Sequence, residues 1–564
     1  MESFFHSFDM VSMDKETMQS ALRYTKQGAI TCIRILKSCL PYIRFVLGKK
    51  FIGLYTAALS LVLCMILAWQ VEGRRAEFHC AAVAGVCACC WIFEVLPLPI
   101  TALLPAILLP ILDVVSAKTI ATKYFSDTIF VFVGGFVMAL AMQKWGLHKR
   151  IALGLVRIIG VKPRMLLFGV MFAVWFLSMW MSNTATAMAM LPSALAIIEN
   201  LEEDVEPARI KKFSLGLFLG IAFAAGIGGI ATTIGTPPNL VLLKVFDEQF
   251  PNAENVMTFS KWFVFGLPTA LIFFIICYAF FAIFYCPWRN SINIEKSVIR
   301  QQYHALGDMK LEEKLVAIVF VVLAICWMTI GGLNLFLFEI PGWKEIFPGG
   351  DKSDQIKDGT VALIAAVLMF CIPSTRKVTR RENGVETEVR DMLMDWETMR
   401  GMPWDLVLLF GGGFALAAGF TASGLDSYMA DGLKSFEDWP IFVFVAIIAV
   451  VSATITSFSS NTATANMLLP AMASLATGIN VHPLLVMIPC ALSCSFAFMF
   501  PYSTPPNVIV FGSGRLRMTD MMLAGFFMNI IGLIVTMTVT FTLVPLVWGF
   551  NPFDSSVPSG WTSN

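Results

Sequence analysis

A chain of 564 residues in which 57% of side chains are hydrophobic and only 14% charged is too apolar for water, where a folded protein carries about 25% charged residues. A net charge of +1 leaves no basic face to neutralise phosphates and excludes nucleic acid as a partner. The 13 cysteines fall mostly in apolar runs, among them Cys64, Cys80, Cys87, Cys89 and Cys90, without histidine partners at metal-ligand spacing; they count as small hydrophobes in a protein of the lipid bilayer.

Residues 1–50 are an expected cytosolic arm. They lack the charged-then-apolar order of a signal peptide, and Glu2, Asp9, Asp14 and Glu16 oppose a transit peptide. From Met18 to Val46 apolar residues recur at helical spacing with Arg34, Lys37 and Arg44 between them, which predicts a basic amphipathic helix on the cytosolic leaflet. Beyond the arm, apolar segments of about 20 residues can each cross the hydrocarbon core. The first is 51–70, within a unit of 51–78, followed by 79–96, 98–115, 128–143, 214–243, 262–286, 315–333, 359–373, 404–422, 483–512 and 521–548, which predicts eleven transmembrane helices in an all-α membrane protein.

Two further apolar stretches, 164–200 and 439–477, run to roughly forty residues, twice what one crossing needs. Each is interrupted near its middle by Ser-Asn-Thr, in "MSNTATAMAMLP" (181–192) and "SSNTATANMLLP" (459–470). A polar tripeptide there predicts the tip of a hairpin whose arms reach only part-way across. With the N-terminus cytosolic, 30 of the 40 lysines and arginines fall on the cytosolic side, in residues 1–50, after Met142, and near 209, 300, 380 and 515. The positive-inside rule favours that arrangement, although Arg74 and Arg75 stand on the outer side. The first hairpin then enters from the cytosol and the second from the outer face. The linker 287–314 is cytosolic and the tail 549–564 lies outside.

The chain also repeats itself. Gly134 and Gly412, Gly146 and Gly424, Asn183 and Asn461, and Pro192 and Pro470 are all 278 residues apart, and "IGTPPN" (234–239) returns as "YSTPPN" (502–507) at a spacing of 268. The ten-residue change falls in the charged loop around 200–212. Two repeats follow, 79–286 and 315–548, each with five spans and one hairpin. The odd number of crossings inverts the second copy, the pattern of a transporter whose site lies at the repeat interface.

The motifs suit ions. Non-helical backbone inside a membrane persists only where protein or a water-filled cavity satisfies it. A helix starting near Ala185 or Ala463 offers free N–H groups to an anion, while Asn and Ser oxygens and nearby carbonyls can hold a hard cation. Pro237 and Pro238 remove two N–H donors, so carbonyls in the Gly228–Gly235 region lose helical partners, and Thr236 and Thr504 add hydroxyls. No lysine or arginine lies within these motifs. A bound anion is therefore balanced by helix ends and cations.

These phrases, with "EVLPLPITALLP" (94–105), "GLHKRIAL" (146–153), "MPWDLVLLFGGGFALAAG" (402–419) and "SFAFMFP" (495–501), resemble the divalent-anion/sodium symporter family, which includes sodium-coupled dicarboxylate and citrate cotransporters. The resemblance covers about 79–548. It implies a substrate site for a dicarboxylate or tricarboxylate made of Ser182, Asn183, Thr184, Thr236 and Pro237 on one side. Ser460, Asn461, Thr462, Thr504 and Pro505 form the other side. It implies one Na+ held by Ser178, Asn183 and Gly235, a second held by Thr456, Asn461 and Ser503, and an elevator movement past a scaffold that forms a homodimer. A plasma-membrane location is expected, although the lack of any Asn-x-Ser/Thr sequon leaves an internal membrane open. A Na+-independent exchanger, an H+-linked carrier and a Na+/sulfate symporter are the alternatives. An enzyme is not expected, because His6, His79, His148, His304 and His482 lie away from the motifs. Glu94 is expected to anchor a span end, and Asp127 and Asp405 to favour helix N-termini.

Overall fold

The computed structural model describes residues 48–71, 73–160, 162–202, 207–253, 256–286, 296–331, 333–335, 338–340, 342–347, 356–382, 385–433, 439–553 and 556–561. The amphipathic helix expected between Met18 and Val46 lies outside them. Nine helices among the described residues are long and apolar enough to cross a membrane.

Helix α1 (Lys49–Gln70) packs along α2 (Arg75–Phe93). Its other face exposes Leu54, Tyr55, Leu59 and Trp69, which costs nothing where lipid tails are the solvent. Short helices α3 (Leu98–Thr101), α4 (Leu104–Ile111) and α5 (Ala117–Lys123) follow. The expected span 98–115 is therefore not one helix. Pro105 opens α4, and the chain turns after it at Asp113, whose φ is 56°.

Helices α6 (Asp127–Lys144) and α7 (Leu147–Ile159) lead into the first hairpin, α8 (Pro163–Ser178) and α9 (Asn183–Glu202). Then come α10 (Pro207–Gly229), α11 (Pro237–Gln249) and α12 (Phe259–Phe284), so the expected span 214–243 is broken between Gly229 and Pro237. Helix α10 is enclosed by its neighbours, with Leu217, Phe218, Leu219, Ile221, Phe223 and Ala225 inaccessible; a helix buried all round needs no polar face.

The second half runs through α13 (Lys296–Ala305), α14 (Leu311–Thr329), α15 (Asp358–Cys371), α16 (Trp396–Met399), α17 (Trp404–Ser423) and α18 (Leu425–Leu433). The second hairpin is α19 (Ile441–Phe458) and α20 (Asn461–Gly478). Helices α21 (Leu484–Ser493), α22 (Pro505–Phe511) and α23 (Met518–Trp548) close the chain, with the span 483–512 broken as its counterpart is.

The all-α expectation needs correction. Strands β1 (Leu333–Leu335) and β2 (Phe338–Ile340) pair antiparallel, and so do β3 (Pro373–Glu382) and β4 (Val385–Met392), with Val378 opposite Val389. The second pair was legible. "STRKVTRRE" and "VETEVRD" flank an Asn-Gly dipeptide, a strong hairpin signal.

The two repeats exchange packing partners. A Cβ on Gly134 in α6 would lie 2.5 Å from the Ala362 carbonyl of α15, and one on Gly412 in α17 would lie 2.4 Å from the Ala102 carbonyl beside α3. Each glycine admits backbone from the other repeat, and no larger residue fits.

Ion pairs fall into two groups, drawn from the loops that the charge count assigns to opposite faces. One group holds Lys144 to Asp395 at 2.6 Å and to Asp391 at 3.1 Å, Arg150 to Glu313, and Arg515 to Glu202. The other holds Lys123 to Glu248 at 2.6 Å, and Lys244 to Glu248 at 3.3 Å and to Asp127 at 3.6 Å. Asp127 is thus an ion-pair partner as well as the first residue of α6. The expected outer tail folds back near this second group. Phe550 stacks on His482 with ring centroids 3.8 Å apart, and Trp561 meets Phe246 at 5.6 Å.

Candidate functional site

Each hairpin tip is a short break between two helices. Helix α8 starts at Pro163, where the missing N–H costs nothing, and ends at Ser178; α9 begins at Asn183. Ser182 caps it, its Oγ accepting from the Ala185 N–H at 3.2 Å, as a serine N-cap does. At the second tip Ser460 holds the same place before Asn461, with extended backbone. Thr186 and Thr464 donate back to the Ser182 and Ser460 carbonyls at 3.1 and 3.0 Å. The helices thus start two residues earlier than the sequence suggested, and the asparagines are their first residues.

Around each asparagine lies a cluster of oxygens. Ser178 Oγ is 2.6 Å from Asn183 Oδ1 and 2.7 Å from the Ala225 carbonyl oxygen. Thr456 Oγ1 is 2.8 Å from Asn461 Oδ1 and 2.6 Å from the Cys494 carbonyl oxygen. A hydroxyl has one proton and can donate to one acceptor at a time, so three oxygens share one hydrogen in both clusters. The remaining close contact is then oxygen to oxygen, an arrangement that a cation stabilises. Ser178 and Thr456 are fully buried, which sharpens that imbalance because no bulk water dilutes it.

The sequence-derived trio of Ser178, Asn183 and Gly235 comes together. A Cβ on Gly229 would lie 2.9 Å from both Asn183 Oδ1 and the Gly235 carbonyl. Of the second trio, Thr456 and Asn461 touch, while Ser503 Oγ lies 2.8 and 2.7 Å from the Ala497 and Phe500 carbonyl oxygens, either of which can take its one proton. Thr236 and Thr504 cap α11 and α22 in extended conformation, with Pro237 and Pro505 opening those helices. Thr236 and Thr462 are buried; Ser182, Asn183, Thr184, Pro237, Ser460, Asn461 and Thr504 are partly covered; Pro505 is exposed.

The two halves are cross-braced: α9 packs on α22 of the other repeat, and α20 on α11. Phe223 of α10 meets Phe498 of the opposite broken segment at 4.9 Å. Helices of both hairpins thereby contribute to the interface between repeats. Sequence reasoning missed the Ala225 and Cys494 carbonyls, since a main-chain oxygen has no residue signature. It also overstated how many carbonyls the prolines leave free. Asn239 Nδ2 donates to Gly229 O at 3.1 Å and Thr232 O at 2.7 Å, and Trp262 Nε1 donates to Ile230 O at 3.1 Å.

The oxygens gathered here are hydroxyl, amide and carbonyl, without a carboxylate. Among the described residues no group of three His, Cys, Asp or Glu is placed to hold a metal ion. Neutral oxygens suit a hard monovalent cation, whereas tight divalent sites use carboxylates.

The family profile described as the sodium:sulfate symporter transmembrane region matches residues 49–548. The chain is 36% identical over 509 residues to the sodium-dependent dicarboxylate transporter SdcS of Staphylococcus saprophyticus, covering 89% of this chain and 93% of that protein. It is 34% identical over 509 residues to the protein of the same name in Staphylococcus aureus, covering 89% and 92%. Among solved structures, the YdaH transporter of Alcanivorax borkumensis superposes with a TM-score of 0.51 at 14% identity, over 90% of this chain and 100% of that one. At that identity the likeness concerns fold alone.

Proposed function

Since the chain belongs to the sodium:sulfate symporter family, the divalent-anion/sodium symporters, and is a membrane transporter rather than an enzyme, we propose that it carries C4 dicarboxylates such as succinate, malate and fumarate together with Na+. Citrate is a further candidate cargo. The relatives named for sodium-dependent dicarboxylate transport support both halves of that statement. The observation that carries it is the pair of oxygen clusters, Ser178 with Asn183 and Thr456 with Asn461, each short of protons at a repeat-related position.

One Na+ binds at Ser178, Asn183 and Gly235 and the other at Thr456, Asn461 and Ser503. The Ala225 and Cys494 carbonyls, already within 2.7 Å of the two hydroxyls, complete the oxygen sets. The anion lies between the tips, against Ser182, Thr184, Thr236 and Pro237 on one side and Ser460, Thr462, Thr504 and Pro505 on the other. The N-termini of α9 and α20 point partial positive charge at it. Asn183 and Asn461 touch cation and anion together, so a site without Na+ has neither its charge balance nor its geometry. Helices α8/α9 and α19/α20 are re-entrant hairpins from opposite faces, and they travel as part of an elevator past a dimerising scaffold. The N-terminus is cytosolic and the plasma membrane is the expected location. If net positive charge enters, a potential of 100 mV contributes roughly 2.3 kcal/mol per charge.

The test is uptake of labelled succinate into proteoliposomes, with Na+ outside or replaced by choline, and with sulfate, malate, fumarate and citrate as competitors. Uptake should fall to background in choline, and malate and fumarate should compete while sulfate does not. Uptake driven by internal malate without Na+ would sink the symport and favour exchange.

A further inference from the structure

Each TPPN segment removes two backbone donors at its prolines, and the next residue carries two amide protons. Those protons go to the break in the preceding helix. Asn239 Nδ2 reaches the carbonyls of Gly229 at 3.1 Å and Thr232 at 2.7 Å; Asn507 Nδ2 reaches those of Ala497 and Phe500, both at 2.9 Å. The two pairs of carbonyls stand at equivalent places, 268 residues apart. Both side chains are buried, at 0% and 1% exposure.

What the amides hold is next to the oxygen clusters. Gly229 is the residue whose Cα faces Asn183 Oδ1 and the Gly235 carbonyl. In the other half, the Ala497 carbonyl that Asn507 grips also receives the Ser503 hydroxyl at 2.8 Å, and Asn507 Nδ2 lies 3.3 Å from Ser503 Oγ. The bend that presents Gly235 or Ser503 is thus pinned from the first turn of α11 or α22. We propose that Asn239 and Asn507 are positioning residues for the two Na+ sites, one for each, acting through the carbonyls they hold rather than by touching the ion. The proposal rests on the Na+-coupled reading and adds a pair of residues to it.

The amide cannot be replaced by shape alone. Aspartate has the outline of asparagine but turns a donor into an acceptor facing carbonyls. Second-sphere partners that orient ligands typically shift metal affinity by about 10- to 100-fold when removed. The test is the Na+ dependence of succinate uptake for N239A, N239D, N507A and N507D, alongside the Na+-induced rise in Tm of the purified proteins. The half-saturating Na+ concentration should rise about 10- to 100-fold, with the maximal rate recovered at high Na+. The combined N239A/N507A shift should be the product of the single shifts, because the clamps serve separate sites.

A lower maximal rate with unchanged Na+ dependence would overturn the proposal and leave a purely structural role. So would a Na+-induced Tm rise in the variants equal to that of the parent protein. Should the alanine variants fail to accumulate, N239L and N507L keep the bulk without a donor, and an unshifted Na+ dependence in them has the same force. A parent protein whose Tm does not respond to Na+ would instead overturn the sodium reading itself.

Discussion

In the first half-site, Thr236 is buried and Ile234, Pro237 and Trp180 are at least partly covered; in the second, Pro505 is exposed, and so are Tyr502 at 58%, Val508 at 52% and Phe458 at 51%. The repeat-mate of Val508 is Leu240, at 1%. The hydrogen bonds inside the two halves are nearly the same, so the local design is equal and the surroundings are not. One difference between the halves is anchorage. Helix α11 has 13 residues and is tied by Lys123–Glu248 and Lys244–Asp127, whereas α22 has 7. Sequence repeats encode the chemistry of the half-site, while its access is set by what the other elements present to it.

The largest effects should come from the asparagines that the two halves share. Asn183→Ala and Asn461→Ala each remove an oxygen from a cluster of three and the proposed contact to the anion. Succinate uptake should fall by about 100-fold or more, since losing either Na+ by 10- to 100-fold in affinity also removes charge balance for the anion. Surface delivery and Tm should stay near those of the parent chain. Wild-type uptake in either variant would break the equivalence of the halves.

Anchorage is tested next. Lys123 and Glu248 are 20% and 13% exposed, and Lys244 reaches the same carboxylate at 3.3 Å. Glu248→Gln should free the far end of α11 and raise labelling of a cysteine at Ile234 toward the rate at Tyr502, with uptake changed several-fold. The charge-reversed pair K123E/E248K should recover part of the difference, by the coupling of roughly 0.5–3 kcal/mol usual for side chains in contact. An unchanged labelling ratio in Glu248→Gln would separate anchorage from access.

Accessibility itself is a gentler probe. In the otherwise unaltered chain, cysteines at Tyr502 and Val508 should react with a small thiol reagent well before cysteines at Ile234 and Leu240. Excess substrate with Na+ should narrow that gap if occupancy changes which half is open. Equal rates at all four positions in the absence of Na+ would remove the asymmetry.

Much of this site was legible because its chemistry is carried by side chains in a repeated order. Ser-Asn-Thr and Thr-Pro-Pro-Asn could be found twice, and Ser178 and Thr456, which the family resemblance implied, stand at the same spacing of 278. The Ala225 and Cys494 carbonyls could not be found that way, because any residue supplies a carbonyl and only the helix break places it beside the hydroxyl. The hairpin of β3 and β4 was legible but passed over. A hydropathy scan for spans passes over polar segments, and period-two alternation has to be sought there separately. The break in 98–115 turned on Pro105, which stood in plain view, but proline is tolerated often enough in membrane helices to be read through.

The smallest expected effect concerns a contact at the exit of the second hairpin. His482, at the exit of the second hairpin, is stacked on Phe550 and meets Trp561 edge-on at 5.2 Å. Its Nδ1 accepts the Leu484 N–H at 3.3 Å, so the neutral ring carries its proton on Nε2. Burial pushes its pKa down to about 4 from an ordinary 6.5. The unfolded or undocked histidine therefore binds a proton more readily, and docking of the tail is favoured fully above pH 6.5 and progressively lost as pH falls toward 4. Protonation also deletes the acceptor that Leu484 uses. Trp561 should become more exposed to a soluble quencher across that window, measured against W561F as the blank. H482F keeps the stacked ring without a titrating group and should hold Trp561 protected throughout. A pH-dependent exposure that survives in H482F would assign the response to another group, and the tail would then say nothing about why the second half is the more open one.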